Sequence, residues 1–162
     1  MTREEIYDVY WQGPFEWRRR NELNNPGHVL YSLHGTHHLY GQNVLLYIGM
    51  TENTPKGRFL SHEKWVVEEY DPMTIKVASV GKFINWKVWD EFEEDEPYPK
   101  FEDYNILNAI ESLLIYSSQP AYNIVNKESL NNAQGIRIFN TGHAGLLFPE
   151  VSYKYFIGEK SI

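Results

Sequence analysis

The sequence predicts an α/β protein of the α+β type, in which a small sheet is combined with helices. Three short and mainly apolar runs, at 28–33, 44–48 and 74–80, have the length and the flanking turn residues of strands. Two longer segments, at 54–70 and 104–117, carry apolar residues at the spacing of one helical face. The 162 residues, of which 42% are hydrophobic, are expected to form a single domain, 1–162, with a sizeable core.

The first two strands are expected to pair as a long antiparallel hairpin. The turn sequence Asn24-Asn25-Pro26-Gly27 precedes the first strand, the loop HGTHHLYGQN follows it, and Gly49 ends the second strand. Near the end of the sequence, IRIFN at 136–140 and VSYKYFI at 151–157 also resemble strands. These two runs would pair with each other across the loop 142–145.

Both helices have recognisable ends. Thr54 is a favourable N-cap and Pro55 suits the first helical position, so the first helix is expected to start there and to stop at Asp71-Pro72. Asp103 is expected to cap the second helix. The buried side of that helix would consist of Ile106, Ile110, Leu113 and Leu114.

The negative charge of the chain is concentrated in one segment. The formal net charge of −7 argues against nucleic acid as a partner of the chain as a whole. However, residues 90–103, DEFEEDEPYPKFED, hold eight of the 22 acidic residues and one of the 15 basic residues, so the rest of the chain is neutral. We expect this acidic segment to be a solvated linker, and the remaining surface can still carry a basic face.

The composition also limits the cellular compartment. The absence of Cys excludes disulfides and thiolate metal sites. The charged N-terminus lacks the apolar stretch of a signal peptide, and the longest apolar run, VLLYI, is too short to span a bilayer. These features predict a soluble, cytoplasmic protein without a membrane partner.

Arg58, His62 and Trp65 are spaced to share one face of the first helix. Arg58 lies in the first turn, where free N–H groups and the helix dipole favour an anion. A guanidinium suits a phosphate there because its planar fork matches two phosphate oxygens. The alternative is an ordinary surface arginine and a histidine that packs against Trp65.

Three further side chains are candidates for chemistry. Glu111 would border the buried side of the second helix, where a single carboxylate can bind Mg²⁺ together with water and phosphate. Tyr31 and Tyr47 lie on neighbouring strands, and a tyrosine beside a cation can take part in proton transfer. The alternatives are a plain surface glutamate and tyrosines that pack within the sheet.

The stretch His34-x-x-His37-His38 resembles a group of metal ligands. It lies in a loop flanked by glycines and has no nearby carboxylate or cysteine. We therefore expect solvated loop histidines rather than a structural metal site.

Together these pieces resemble the GIY-YIG nuclease family. Val29-Leu30-Tyr31 stands at the place of the first family motif, and Tyr47-Ile48-Gly49 matches the second motif. Arg58 and His62 fall where the family has an arginine and a histidine on its first helix. Glu111 matches the catalytic glutamate of the family, which also lies on a helix.

The resemblance continues to Pro120-Ala121-Tyr122-Asn123, which is similar to the Pro-x-x-Asn ending of the family. It covers residues 28–126, which would be the catalytic core, and leaves 1–27 and 127–162 as N- and C-terminal extensions. Two features depart from the family pattern. Val29 replaces the glycine of the first motif, and the span between the two motif tyrosines is longer than usual.

The resemblance implies a small antiparallel three-stranded sheet flanked by helices, and an endonuclease that hydrolyses phosphodiester bonds in DNA with Mg²⁺ or Mn²⁺ held at Glu111. It implies that Arg58 stabilises the transition state and that Tyr31 is the general base or a relay to one. Tyr47 would position the phosphate or the water, and His62 would hydrogen-bond a tyrosine hydroxyl or the leaving group. The residues expected to bind nucleic acid are Lys56, Arg58 and Asn123.

Two other functions fit the same sequence. One is a catalytically weak or inactive module of the GIY-YIG fold that binds nucleic acid or protein, which Val29 and the acidic segment would favour. The other is a protein-interaction domain in which the motif matches arose by chance.

Overall fold

The computed structural model of the chain describes residues 3–51, 73–90, 96–128, 130 and 133–157. Within these ranges the strands are β1 (Glu5–Glu16), β2 (Leu30–His37), β3 (Gly41–Met50), β4 (Thr74–Lys82), β5 (Ile136–Gly142) and β6 (Glu150–Ser152). The helices are a 3₁₀ helix at Trp17–Glu22 and the α-helices α1 (Trp86–Asp90), α2 (Tyr104–Ser118) and α3 (Lys154–Ile157). No helix in the described ranges has the length and apolar character that crossing a membrane requires.

The six strands form one mixed sheet in the order β3-β2-β4-β1-β5-β6, and this sheet curls into half a barrel. Every neighbouring pair is antiparallel except β1 and β5, which run parallel. Since β1 and β5 are far apart in sequence, the middle of the sheet depends on long-range pairing.

The predicted fold, a three-stranded antiparallel sheet flanked by helices, is therefore wrong. Strands β3, β2 and β4 are present but form only half of the sheet, and α1 and α3 are only five and four residues long. The main reason is β1, whose residues were expected to form an N-terminal extension. Tyr7, Val9 and Trp11 alternate along β1 and are buried in the core, so this strand belongs between β4 and β5.

Several individual elements are confirmed. Strands β2 and β3 form the predicted antiparallel hairpin, and the third predicted strand is β4. Asp103 caps α2, because its carboxylate accepts hydrogen bonds from the backbone N–H groups of Asn105 (3.1 Å) and Ile106 (3.2 Å). The fully buried members of the predicted stripe are Ile110, Leu113 and Leu114, and Ile106 is half-buried.

The C-terminal prediction is confirmed in part. Strands β5 and β6 pair antiparallel, as expected, but the second run continues as α3 instead of as a strand. Arg137 on β5 holds this region to the start of the chain, since its guanidinium pairs with Glu4 (2.6 Å) and with Glu150. The predicted helix at 54–70 lies outside the described residues.

Two apolar clusters form the core, one on each face of the sheet. The larger cluster contains Leu30, Ile48 and Ala78, and it is covered by the buried side of α2. The smaller cluster contains Tyr31 and Leu33, which are the alternate residues of β2 and point to the opposite face. The β2–β3 hairpin therefore contributes side chains to both faces.

Candidate functional site

The two motif tyrosines lie together on the face of the smaller apolar cluster. Tyr31 is opposite Gly49 across the β2–β3 pair, and Leu33 is opposite Tyr47. The rings of Tyr31 and Tyr47 stack with centroids 6.0 Å apart and planes inclined by 28°. Tyr31 is fully buried, whereas Tyr47 is only half-buried, so Tyr47 is the member of the pair that solvent reaches.

Gly49 is needed because of the Tyr31 ring. A Cβ atom placed on Gly49 would lie 2.4 Å from both the Tyr31 hydroxyl oxygen and the ring carbon that carries it. Real Cβ atoms essentially never come so close to another atom, so the fully buried Tyr31 ring would have to shift within a close-packed core. The tyrosine of the first motif and the glycine of the second therefore form one packing unit.

A one-residue irregularity in β3, just before Tyr47, brings Leu46 to this face as well. Leu33 pairs with Tyr47, but the next residue of β2, His34, pairs with Leu45, so Leu46 is an extra residue on β3. Such a bulge makes two successive side chains point the same way, and Leu46 and Tyr47 indeed both pack at the smaller cluster. No pattern in the sequence predicts this bulge.

The segment after α2 closes the outer edge of β3. The backbone N–H of Ala121 donates to the Leu45 carbonyl (3.2 Å), and that of Tyr122 donates to the Leu46 carbonyl (2.8 Å). An edge strand that is paired in this way is protected from pairing with other chains.

Asn123 completes this edge with its side chain. Its amide oxygen accepts from the Ile48 N–H, and its amide nitrogen donates to the Ile48 carbonyl, both at 2.9 Å. Asn123 is 8% exposed, so its amide is committed to the middle residue of the second motif. The side chain therefore positions β3.

Glu111 lies at the margin of the α2 interface. It is half-buried, and the residues one turn before and after it, Leu107, Leu114 and Ile115, are all buried. Helix α2 packs against β3 as well as against β5 and β6. The described residues contain no group of three or more His, Asp or Glu side chains that could hold a metal ion. A carboxylate at a helix margin still fits Mg²⁺, because this ion keeps several waters and commonly takes one or two protein carboxylates.

The structure thus brings some of the predicted site residues together. Tyr31, Tyr47 and Asn123 meet at the end of β3, around Ile48 and Gly49. Glu111 is carried by α2, which covers the larger cluster on the opposite face of the sheet from the tyrosine pair. The remaining predicted residues, Lys56, Arg58 and His62, lie outside the described residues.

The three clustered histidines point to separate environments. The Nε2 atom of His34 is hydrogen-bonded to the Ser32 hydroxyl at 3.0 Å. The His37 Nδ1 atom instead accepts hydrogen bonds from the backbone of the hairpin turn, at Leu39 and Tyr40, and its ring stacks on His38. The expectation of solvated loop histidines is wrong for His34 and His37, because both lie on β2, where His34 is half-buried and His37 is buried.

The most completely buried carboxylate among the described residues, that of Asp8, was not among the predicted site residues. Asp8 is 4% exposed and accepts hydrogen bonds from the hydroxyls of Tyr98 and Thr141, both at 2.6 Å. Burial raises the pKa of Asp8, although the two hydrogen bonds partly oppose this effect. Tyr98 lies within the acidic segment 90–103, so this bond fastens that part of the segment to β1. The expectation of a solvated linker is therefore wrong for the part of the segment around Tyr98. An acidic residue in an aromatic, alternating run is the only sequence signal that could have indicated Asp8.

The chain was compared with known protein families, with curated proteins and with solved structures, and none of the three comparisons finds a match.

Proposed function

We propose that the protein is a metal-dependent nuclease that hydrolyses phosphodiester bonds in DNA. The observation that supports this proposal is the convergence of motif positions that are distant in sequence. Tyr31 packs on Gly49 and stacks with Tyr47. Asn123 is hydrogen-bonded to the backbone of Ile48, the residue between Tyr47 and Gly49. Packing alone would account for the contact between Tyr31 and Gly49. However, the motifs that contain Tyr31, Tyr47 and Asn123 all meet at one strand end, and this favours a shared functional site.

In this proposal Glu111 holds the divalent cation. When bound, such a cation supplies positive charge where the transition-state phosphate gains negative charge. Arg58 stabilises the same charge with its planar guanidinium. Tyr47, the accessible member of the tyrosine pair, positions the phosphate or the attacking water, and His62 hydrogen-bonds a tyrosine hydroxyl or the leaving group.

The burial of Tyr31 bears on its part in the reaction. A fully buried phenol does not contact a substrate directly, so its burial favours the relay role over direct abstraction of the proton from water. Tyr31 would then orient Tyr47 through their stacked rings and take up a proton only through another group.

A plasmid-nicking assay tests the proposal. Purified protein is incubated with supercoiled DNA and with Mg²⁺, Mn²⁺ or excess chelator, and the wild type is compared with Glu111→Gln. The control is Glu102→Gln, which removes an exposed carboxylate just before α2. We expect metal-dependent nicking by the wild type and by Glu102→Gln, and none above background by Glu111→Gln.

The proposal fails if wild type and Glu111→Gln are alike on duplex, branched and single-stranded DNA. Binding to any of these substrates without metal-dependent cleavage would support the second candidate, an inactive module that binds nucleic acid. The full burial of Tyr31 is the structural feature that favours this second candidate.

A further inference from the structure

A cavity of about 270 Å³ lies on the other face of the β2–β3 hairpin, away from the tyrosine pair. Its apolar wall is formed by Leu45 on β3 and by the loop between β5 and β6, with Leu146, Leu147 and Phe148. Leu146 is 93% exposed and Phe148 is 56% exposed, so both stand at the open rim. The cavity is therefore open to solvent and has an apolar interior, which is typical of a small-molecule site.

A few polar groups lie among these apolar ones. His34 borders the cavity from β2, and Ser117 and Ser118 border it from the C-terminal end of α2. The Ser117 hydroxyl donates to the Leu114 carbonyl (3.1 Å), so its oxygen can still accept a hydrogen bond. Polar groups in this small number can fix the orientation of a ligand without preventing the burial of its apolar part.

A lysine supplies positive charge beside this cavity. Lys76 lies on β4, opposite Ser32. Burial of the imidazole, and secondly the nearby charge of Lys76, lower the pKa of His34 to about 4. The Lys76 Nζ atom also lies against Gly145, since a Cβ placed there would be 2.6 Å from it. The ammonium is thus situated between His34 and the loop that forms the apolar wall.

The positive charge of Lys76 is not neutralised by any group in the described part of the chain. Its side chain is half-buried and forms no ion pair with a described carboxylate. Burial accordingly lowers the pKa of Lys76, because the charged form loses water contacts without gaining a partner. His34 is neutral at physiological pH and adds no second charge.

We infer that this cavity binds a small apolar molecule that carries a single anionic group, either a carboxylate or a phosphate. The anionic group pairs with Lys76 near His34, and the apolar body lies against Leu45 and Leu147. The other end of the cavity is less suitable for an anion, because the C-terminus of α2 carries partial negative charge. This inference does not depend on the proposed nuclease activity, since none of the residues that line the cavity has a role in that proposal.

Titration calorimetry with three related probes tests the inference. The probes are 2-naphthoate, 2-naphthyl phosphate and the uncharged 2-naphthamide, which share one apolar body. Wild-type protein is expected to bind at least one anion at least about tenfold more tightly than the amide, because only the anion forms a charge-assisted hydrogen bond with the ammonium. Comparison of the two anions distinguishes a carboxylate site from a phosphate site.

Lys76→Met removes the charge and keeps an unbranched side chain that is one atom shorter. Lys82→Met is the matched control because Lys82 is an exposed lysine on the same strand. Lys76→Met should abolish the preference for the anion, while Lys82→Met should leave it unchanged. Backbone amide shifts should occur at Ser117, Ser118 and Leu147. Equal binding of anion and amide by the wild type, or no binding of either anion at millimolar concentration, would overturn the inference even if Lys76→Met does not fold.

Discussion

The Tyr31 side chain lies so close to Gly49 that a single added methyl group would approach its hydroxyl oxygen to 2.4 Å. The two residues face each other across β2 and β3, at the strand end where the second motif is located. This contact links the first motif to the second. The Tyr31 ring leaves no room for a Cβ atom at position 49, so glycine is the residue that fits there.

The first prediction concerns this contact. Gly49→Ala should lower the free energy of unfolding by about 1–3 kcal/mol, because the added methyl group forces a buried ring to move in a close-packed core. Urea unfolding followed by tyrosine fluorescence measures the change. Gly35→Ala is the control, since its Cβ would lie 3.0 Å from Leu46 Cδ1 and 3.2 Å from Met73 Cγ, both longer than the 2.4 Å at Gly49, and its cost should be smaller. Equal costs for the two variants would show that Tyr31 is not held rigidly.

The second prediction concerns the edge of β3. Asn123→Ala removes both side-chain bonds to Ile48 and leaves two buried backbone groups unpaired, which should cost about 2 kcal/mol or more. Asn123→Asp should also destabilise, because a carboxylate can accept from the Ile48 N–H but cannot donate to the carbonyl. Asn108→Ala, at an exposed position of α2, should change stability by no more than about 0.5 kcal/mol. Thermal unfolding of the three variants provides the measurement, and an Asn123→Ala protein as stable as Asn108→Ala would contradict the prediction.

The third prediction separates the two tyrosines and rests on the proposed nuclease activity. Tyr47→Phe should keep the stacked ring and the stability, but reduce the rate of nicking by about 100-fold or more, because the accessible hydroxyl is lost. Tyr31→Phe keeps the same packing against Gly49 and should reduce the rate less if Tyr31 acts as a relay. Single-turnover nicking rates measured alongside unfolding curves test both variants. A larger rate loss for Tyr31→Phe than for Tyr47→Phe would make Tyr31 the principal base.

The fourth prediction concerns the pH dependence of stability through Asp8. Since burial raises the folded-state pKa of Asp8 above its ordinary value of 3.8, the stabilisation from its protonated form is complete below pH 3.8 and is lost as pH rises through the folded-state pKa. Asp8→Asn keeps a neutral side chain at every pH. Its stability relative to the wild type should therefore increase from about pH 4 to pH 7, because only the wild type acquires a buried charge.

Urea unfolding of both proteins across this pH range checks the prediction. Asp8→Ala serves as a comparison, since it leaves the Tyr98 and Thr141 hydroxyls without their acceptor and should cost about 1–3 kcal/mol. A constant difference between wild type and Asp8→Asn at all pH values would mean that Asp8 has an ordinary pKa in the folded protein.

Elements governed by local interactions were predicted well. Asp103 caps α2 because its side chain reaches N–H groups only two and three residues away, and such a contact depends on neighbouring residues alone. The hairpin of β2 and β3 follows equally from two apolar runs and the turn residues around them. In both cases the determining residues are near each other in the chain.

Elements governed by distant contacts were not predicted. In the sequence, Tyr7, Val9 and Trp11 belong to a polar and aromatic segment that resembles an extension. In the structure this segment is β1, which pairs with β4 on one side and with β5 on the other. The burial of Asp8 likewise depends on Tyr98 and Thr141, which are distant in sequence. The spacing of apolar residues indicates which face of a segment is buried, but it does not indicate which other segment covers that face.

The amino-acid sequence alone was enough to define the hairpin, α2 with its cap, and the motif residues Tyr31, Tyr47 and Asn123. The tertiary structure alone decided that the sheet has six strands, that Tyr31 is buried against Gly49, and that the Asn123 amide binds Ile48. The reason is that local propensities act over a few residues, whereas burial and cross-strand packing arise only when remote segments meet.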